Sequence, residues 1–151
     1  EKILFYDVKK IGIKNYKKYL HTLIDELLII MKKQKLDYNN TFYLLSQKNK
    51  KNLINHNDDF KDWIKKWETF LKSNTSVQEA KNLMKKYNPI FIPRNHIVDH
   101  AIKEATSGNI TPYEKLLKIL SSPYKYKNSM IEFMNPPSEN FEKCFQTFCG
   151  T

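Results

Sequence analysis

At 151 residues, with 40% hydrophobic and 13% aromatic residues, the chain is long enough to bury a core and too apolar to be disordered. Its 3 glycines are too few for a turn-rich β-sandwich, and no apolar run approaches the roughly 18 to 20 residues of a membrane span. The net charge of +10 comes from lysines scattered over every segment, whereas nucleic-acid readers concentrate arginine in a basic stripe. We therefore expect no specific nucleic-acid partner and no membrane span.

The first half of the chain shows helical periodicity. Apolar residues recur at three- and four-residue steps, which predicts an amphipathic helix over residues 15–33. Asp37 is placed to cap a short helical turn that contains Phe42 and Leu45. Residues 46–57 are rich in lysine and asparagine and predict a polar loop.

Two helices are predicted in the middle of the chain. Asp58 or Asp59 caps the first, whose apolar stripe is more typical of a core than of a cofactor site: Phe60, Trp63, Ile64, Trp67, Phe70 and Leu71. Ser76 and Glu79 have the spacing of a capping box that begins the second helix. Its inward residues are expected to be Val77, Ala80, Leu83, Met84 and Tyr87.

A fifth helix is predicted over residues 93–107. Pro93 suits the start of a helix, and Gly108 suits a left-handed C-terminal cap. The residues expected to face inward are Ile97, Val98, Ala101, Ile102 and Ala105.

The last predicted helix begins with a full set of start signals. Thr111 is the expected cap, Pro112 the first-turn proline and Glu114 the capping-box glutamate. The helix carries Leu116, Leu117 and Leu120 and is stopped by Pro123. Residues 125–151 show little periodicity. The sequence thus predicts an all-α protein, an irregular bundle of about six helices over residues 1–124 with an irregular C-terminal tail over residues 125–151.

Arg94 is the only arginine among 26 basic residues. Its planar fork of donors suits bidentate contacts that a lysine point charge cannot copy. It lies in the turn that begins at Asn88 and Pro89 and continues to Asn95. We interpret Asn88, Pro89, Arg94 and Asn95 as structural residues, with Arg94 bound to a neighbouring carboxylate or carbonyl. A direct contact of Arg94 with a substrate is the alternative.

His96 and His100 have the i, i+4 spacing of two zinc ligands on one helix face. A zinc protease needs Glu directly after the first His, where this chain has Ile97, and no third ligand is evident nearby. We therefore expect a solvated or core-satisfied pair of histidines, and no metal.

Cys144 and Cys149 are the only cysteines. Two are too few for a disulfide scaffold. Cys149 is the candidate redox thiol because a position near a chain end is accessible, with Cys144 as its local partner. The alternative is an incidental free thiol.

Several stretches are similar, in order, to one known family. They are Lys10-Ile11-Gly12-Ile13, Asp37-Tyr38-Asn39-Asn40-Thr41-Phe42, the aromatic helix with Phe60, Trp63 and Trp67, Asn88-Pro89-Ile90-Phe91-Ile92-Pro93-Arg94-Asn95-His96, and the ending Pro136-Pro137 to Cys149-Gly150-Thr151. They resemble the C-terminal part of the selenoprotein O family, kinase-like proteins that transfer AMP to hydroxyl side chains. Tyr43 and Pro93 depart from the family pattern, which has arginine and leucine there.

The resemblance implies a helical region that completes a kinase-like C-lobe and is cut from a longer adenylyltransferase. ATP and Mg²⁺ would be cofactors of the longer protein. Their ligands would lie upstream, so no residue here is assigned to them. The expected partners are the upstream kinase-like domain and protein substrates. The expected location is mitochondrial, as for eukaryotic members, or otherwise cytoplasmic. Some relatives carry selenocysteine at the position of Cys149, which implies a redox latch.

A different class of function also fits the residues. The chain would then be a stand-alone basic helical protein-interaction module without catalytic activity.

Overall fold

The computed structural model describes residues 8–15, 20–47, 58–126 and 128–146. Over these ranges it contains helices and no strand, which confirms the all-α class. The helices are α1 (Leu20–Lys33), α2 (Tyr38–Leu45), α3 (Asp58–Asn74), α4 (Val77–Tyr87), α5 (Asn95–Thr106), α6 (Thr111–Leu120), a 3-10 helix (Asn128–Met134) and α7 (Glu139–Cys144). None of them, within the described ranges, is both long and apolar enough to cross a membrane. The chain divides into two compact units, Glu1–Ile90 and Phe91–Thr151.

The first unit is built around the aromatic stripe of α3. The rings of Trp63 and Trp67 stack with centroids 5.7 Å apart, and both side chains are buried. Each indole N–H donates to a backbone carbonyl, Trp63 to Leu23 at 2.7 Å and Trp67 to Ile11 at 2.8 Å. Because a buried indole needs such a partner, the two tryptophans join α3 to α1 and to residues 8–13 while filling the core. The interpretation of this stripe as core is confirmed.

The two helices before α3 follow the sequence prediction where they are described. Helix α1 begins by Leu20, and residues 16–19 of the predicted helix lie outside the described residues. The Asp37 carboxylate accepts a hydrogen bond of 2.8 Å from the Asn40 amide, which confirms Asp37 as the cap of α2. Most of the predicted loop over residues 46–57 also lies outside the described residues.

Three turns share one left-handed geometry, at Gly12 (φ 82°), Lys35 (φ 51°) and Gly108 (φ 97°), the last two directly after α1 and α5. In each, the following residue donates to the carbonyl five residues earlier, as Ile13 does to Val8 at 2.9 Å. This is the Schellman motif, in which glycine avoids the strain of a positive φ. The prediction for Gly108 is confirmed.

The capping box of α4 is formed as predicted, whereas one of its inward residues is not. Ser76 Oγ accepts from the Glu79 amide at 3.1 Å. The Lys14 ammonium, the Thr75 hydroxyl and the Ser76 backbone N–H hold the pKa of Glu79 below its usual value. Ala80 is buried on the inward face. Val77 is exposed, because it lies in the first turn, and so the prediction that it faces inward is wrong.

The N-terminal ends of α5 and α6 do not lie at the residues that the sequence predicted. Helix α5 begins at Asn95, because Arg94 has an extended backbone and is its N-cap, so Pro93 lies outside the helix. Thr111 is the first residue of α6 and not its cap, since Ile110 is the N-cap and its carbonyl accepts from the Glu114 amide at 3.1 Å. The Thr111 amide is bound instead by the Asn109 side chain at 3.3 Å.

One residue expected to face inward in the second unit, Ile102 on α5, is exposed, and so that prediction is wrong. Leu117 on α6 is exposed as well. The reason is the small size of this core, whose buried apolar residues are Phe91, Ala101, Leu116, Ile119 and Phe133. So few side chains cover only one side of each helix.

Residues 125–146 are less irregular than the sequence predicted. They contain the 3-10 helix, which buries Phe133, and α7, which begins where Ser138 Oγ accepts from the Phe141 amide at 3.2 Å. Periodicity could not predict these two elements, because elements of 7 and 6 residues are too short to repeat a helical face. The boundary at residue 124 stays a prediction.

Gly12 and Gly108 form a matched pair for measuring how closely residues 8–13 approach α4. A Cβ at Gly12 would lie 2.9 Å from Ala80 Cβ and 3.1 Å from Ala80 O, whereas a Cβ at Gly108 would meet nothing within 4 Å. Both substitutions to alanine strain a positive φ, at about 1–2 kcal/mol. We expect Gly12→Ala to cost a further ~1–3 kcal/mol through overpacking. Equal losses in urea unfolding would contradict the close approach.

Candidate functional site

The turn after α4 contains a buried carboxamide. Asn88 is 3% exposed, and its Nδ2 donates to Lys10 O at 2.8 Å and to Phe42 O at 3.4 Å. Both neighbours are acceptors, so only this orientation of the amide satisfies them. The backbone N–H of Asn88 also caps α4 through Met84 O at 2.8 Å. Asn88 thus joins the end of α4 to α2 and to residues 8–13.

A second buried carboxamide meets the same turn from α2. Asn39 Nδ2 donates to Pro89 O at 3.0 Å and to Ile90 O at 3.3 Å. Proline has no N–H and offers only its carbonyl, so a side-chain donor is the natural partner for this stretch. Asn39 is a residue that helical periodicity could not identify, because it interrupts the apolar face of a short helix.

Of the other predicted structural residues in the turn, Arg94 is buried and Asn95 is exposed. The Arg94 carbonyl accepts from the Ile97 amide at 3.0 Å and the Val98 amide at 2.9 Å, which begins α5. A buried guanidinium is in keeping with the structural interpretation, which stays a prediction, as does the direct substrate contact.

The second unit contains a cavity of about 490 Å³ between α5, α6 and the 3-10 helix. Its lining residues are His96, Ile97, His100, Ala101, Thr111, Pro112, Lys115, Glu132 and Phe133. Lys115 Nζ donates to Glu132 Oε1 at 2.6 Å and lies 5.1 Å from the centre of the Phe133 ring. Apolar walls with a few polar groups are typical of small-ligand sites.

His96 is the most perturbed group at this cavity. Burial lowers its pKa, and the positive charge of Arg94 lowers it further. Its Nδ1 atom is buried and has no hydrogen-bond partner among the described residues. The ring contacts Phe141 edge-on, with centroids 5.8 Å apart. At neutral pH the imidazole is therefore uncharged.

His96 and His100 both line the cavity, as their spacing predicts. Within the described residues no cluster of three or more His, Cys, Asp or Glu side chains is placed to hold a metal ion. Catalytic zinc normally needs three protein ligands.

Cys144 is the last residue of α7, exposed and not in a disulfide. Cys149 lies outside the described residues. The redox latch therefore stays a prediction.

Comparison with known proteins identifies the family. The sequence model of the family described as "Protein adenylyltransferase SelO" matches residues 5–121. A relative from Pelagibacter ubique (strain HTCC1062), "Protein nucleotidyltransferase YdiU", is 40% identical over 144 residues, which is 94% of this chain and 30% of the relative. A protein of the same name from Bacillus cereus (strain B4264) is 38% identical over 146 residues, 95% of this chain and 30% of that protein.

The chain therefore belongs to the SelO family, and the resemblance noted in its motifs is confirmed. It spans about 30% of the length of the curated relatives that it matches.

Replacing Asn88 by alanine tests how much the hydrogen bonds of its carboxamide stabilise the fold. Asn88→Ala leaves the Lys10 and Phe42 carbonyls without this donor, so we expect a loss of about 1–3 kcal/mol in the free energy of unfolding. Asn82→Ala is the control, because Asn82 is exposed and its side chain, among the described residues, accepts from Gln78 on its own helix. This variant should cost less than ~0.5 kcal/mol. Similar losses for the two variants would show that the bonds of Asn88 are not stabilising.

His96 gives the second unit a pH dependence of known sign. Because its folded pKa is below the unfolded value of about 6.5, the unfolded chain binds the proton more tightly, and stability falls as pH drops below ~6.5. We expect His96→Gln to reduce the stability difference measured between pH 7.5 and pH 5.5. An NMR titration that places the His96 pKa at or above 6.5 would refute this.

Proposed function

We propose that the chain is the helical C-terminal part of a protein adenylyltransferase that transfers AMP from ATP to Ser, Thr or Tyr hydroxyls of protein substrates. The observation that carries the proposal is the continuous match of residues 5–121 to the SelO family. Relatives named protein nucleotidyltransferases, similar along almost the whole chain, support it. In this reaction the hydroxyl oxygen bonds to the α-phosphorus, the α–β bridging bond breaks, and pyrophosphate and the hydroxyl proton leave.

Within this assembly the described residues act as support for the site that binds nucleotide. Glu132, the acidic residue among the described residues that line the cavity, is bound by Lys115 at 2.6 Å. Within the described ranges no cluster of three or more His, Cys, Asp or Glu side chains is placed to hold a metal ion. We assign no chemical step to the described residues, and place the ATP and Mg²⁺ ligands in an upstream kinase-like domain.

In this proposal the chain acts as a rigid support for the kinase-like domain. Phosphoryl and nucleotidyl transfer depend on positioning, so a kinase-like domain needs a rigid C-lobe. The first unit has the properties of such a support, because four side-chain donors, from Asn39, Trp63, Trp67 and Asn88, bind backbone carbonyls of other segments of the unit.

The second candidate, a stand-alone basic interaction module, is favoured by one observation, the exposed apolar residues of α5 and α6. It predicts protein binding without nucleotide chemistry, so an AMP-transfer assay separates the two.

Labelling with ATP that carries ³²P at either the α or the γ phosphate tests the proposal directly. We expect the whole polypeptide encoded by the gene, with Mg²⁺, to transfer label from [α-³²P]ATP to proteins of a cell extract or to itself. Residues 1–151 alone should transfer none. Label from [γ-³²P]ATP should stay out of protein, since pyrophosphate leaves. Incorporation of the γ label would indicate a kinase, and no incorporation from either position would refute the proposed activity.

A further inference from the structure

The second unit exposes large apolar side chains on both α5 and α6. On α6 and at its N-cap these are Ile110 (55% exposed), Tyr113 (39%) and Leu117 (50%), and on α5 Ile102 (52%). Single exposed apolar residues are ordinary on protein surfaces, whereas a contiguous group indicates a contact surface. Their positions around the two helices decide whether the four side chains form one group.

The helical geometry of α6 places three of them in one row. At about 100° per residue, Leu116 and Ile119 mark the buried face, and Tyr113 and Leu117 lie roughly 60° and 100° from Leu116 on the side away from Ile119. Ile110 falls next to them, at about 120°. The apolar face of α6 is thus about twice as wide as the part that the core covers.

Ile102 lies on the same side of the helical pair. Helices α5 and α6 are joined by residues 107–110 and pack on each other, which makes an antiparallel hairpin. Ile102 is about 100° from the buried Ala101, in the same rotational sense as Leu117 from Leu116. In an antiparallel pair, equal rotations from the inward direction reach the same side. We call Ile102, Ile110, Tyr113 and Leu117 the α5/α6 apolar stripe.

Charged residues border the α5/α6 apolar stripe. Lys103 follows Ile102 and pairs with Asp99 at 2.7 Å, while Glu114 and Lys118 occupy the exposed polar side of α6. An apolar centre with a charged rim is the usual composition of a protein-binding surface.

We propose that the α5/α6 apolar stripe is a docking surface for the part of the full-length polypeptide that lies outside these 151 residues. The inference rests on the proposed function. Relatives match this chain along 94% or more of its length, yet are about three times as long. A unit joined to so much further chain meets it at high effective concentration, so a small contact is sufficient.

The size of the stripe favours this occupant over a second copy of the chain. Four partly exposed side chains offer on the order of a few hundred Å², whereas a stable dimer buries about 1,200–2,000 Å². An intramolecular contact bears no such requirement, because the covalent link has already removed most of the translational entropy.

Cysteine footprinting tests the docking surface without relying on activity. Leu117→Cys and Lys118→Cys are introduced separately, into the whole encoded polypeptide and into residues 1–151, and maleimide labelling of each position is followed by peptide mass spectrometry. Rates in urea normalise the intrinsic reactivity. Ile102→Cys and Lys103→Cys repeat the comparison on α5.

We expect residues 117 and 102 to label at least ~10-fold more slowly than their lysine neighbours in the whole polypeptide, and at similar rates in residues 1–151. Equal labelling in the whole polypeptide would overturn the proposal. Protection already present in residues 1–151 would also overturn it, by indicating that the first unit or, if protection rises with concentration, a second copy covers the stripe. Protection in a polypeptide that transfers no AMP would retain the docking surface and reject the proposed function.

Discussion

The Asn88 carboxamide reaches two backbone carbonyls from distant parts of the chain, Lys10 at 2.8 Å and Phe42 at 3.4 Å. A buried carbonyl that loses its donor costs free energy, so these two hydrogen bonds stabilise the packing of the three segments. The Asn39 carboxamide likewise donates a hydrogen bond to the Pro89 carbonyl, which directly follows Asn88. The Trp67 indole donates to the Ile11 carbonyl. The first unit thus depends on side-chain donors where its helices end, and the core positions those donors.

The cores of the two units differ in size, although both units expose large apolar residues, such as Ile29 and Val77 in the first. In the first, stacked tryptophans and the residues around them are buried, and Gly12 lets residues 8–13 approach Ala80. In the second, a small core leaves apolar residues of α5 and α6 in solvent. The exposed residues of the second unit include the α5/α6 apolar stripe, which is the surface that we propose for a contact with further chain.

Periodicity and capping chemistry predicted the all-α fold, the α3 core, the Asp37 and Ser76 caps and the left-handed end at Gly108, because each depends on residues close in sequence. The exposed positions in the second unit could not be predicted, since a wide apolar face looks the same whether the core or a partner covers it. Asn39 and the Lys115–Glu132 pair were missed for another reason. Their partners are distant in sequence, and neither pair leaves a local pattern.

The central physical claim is that the Asn39 and Asn88 carboxamides act as one network. Asn39 binds the Pro89 and Ile90 carbonyls, which directly follow Asn88, and Asn88 binds the Phe42 carbonyl of the helix that carries Asn39. Loss of one carboxamide should therefore release backbone that the other one positions. A double-mutant cycle with Asn39→Ala, Asn88→Ala and the double variant, measured by urea unfolding, tests this most directly. A single network predicts that the double variant loses less than the sum of the two single losses, with a coupling of about 0.5–3 kcal/mol. Additivity within ~0.3 kcal/mol would contradict it, and would mean that the two amides stabilise the turn independently.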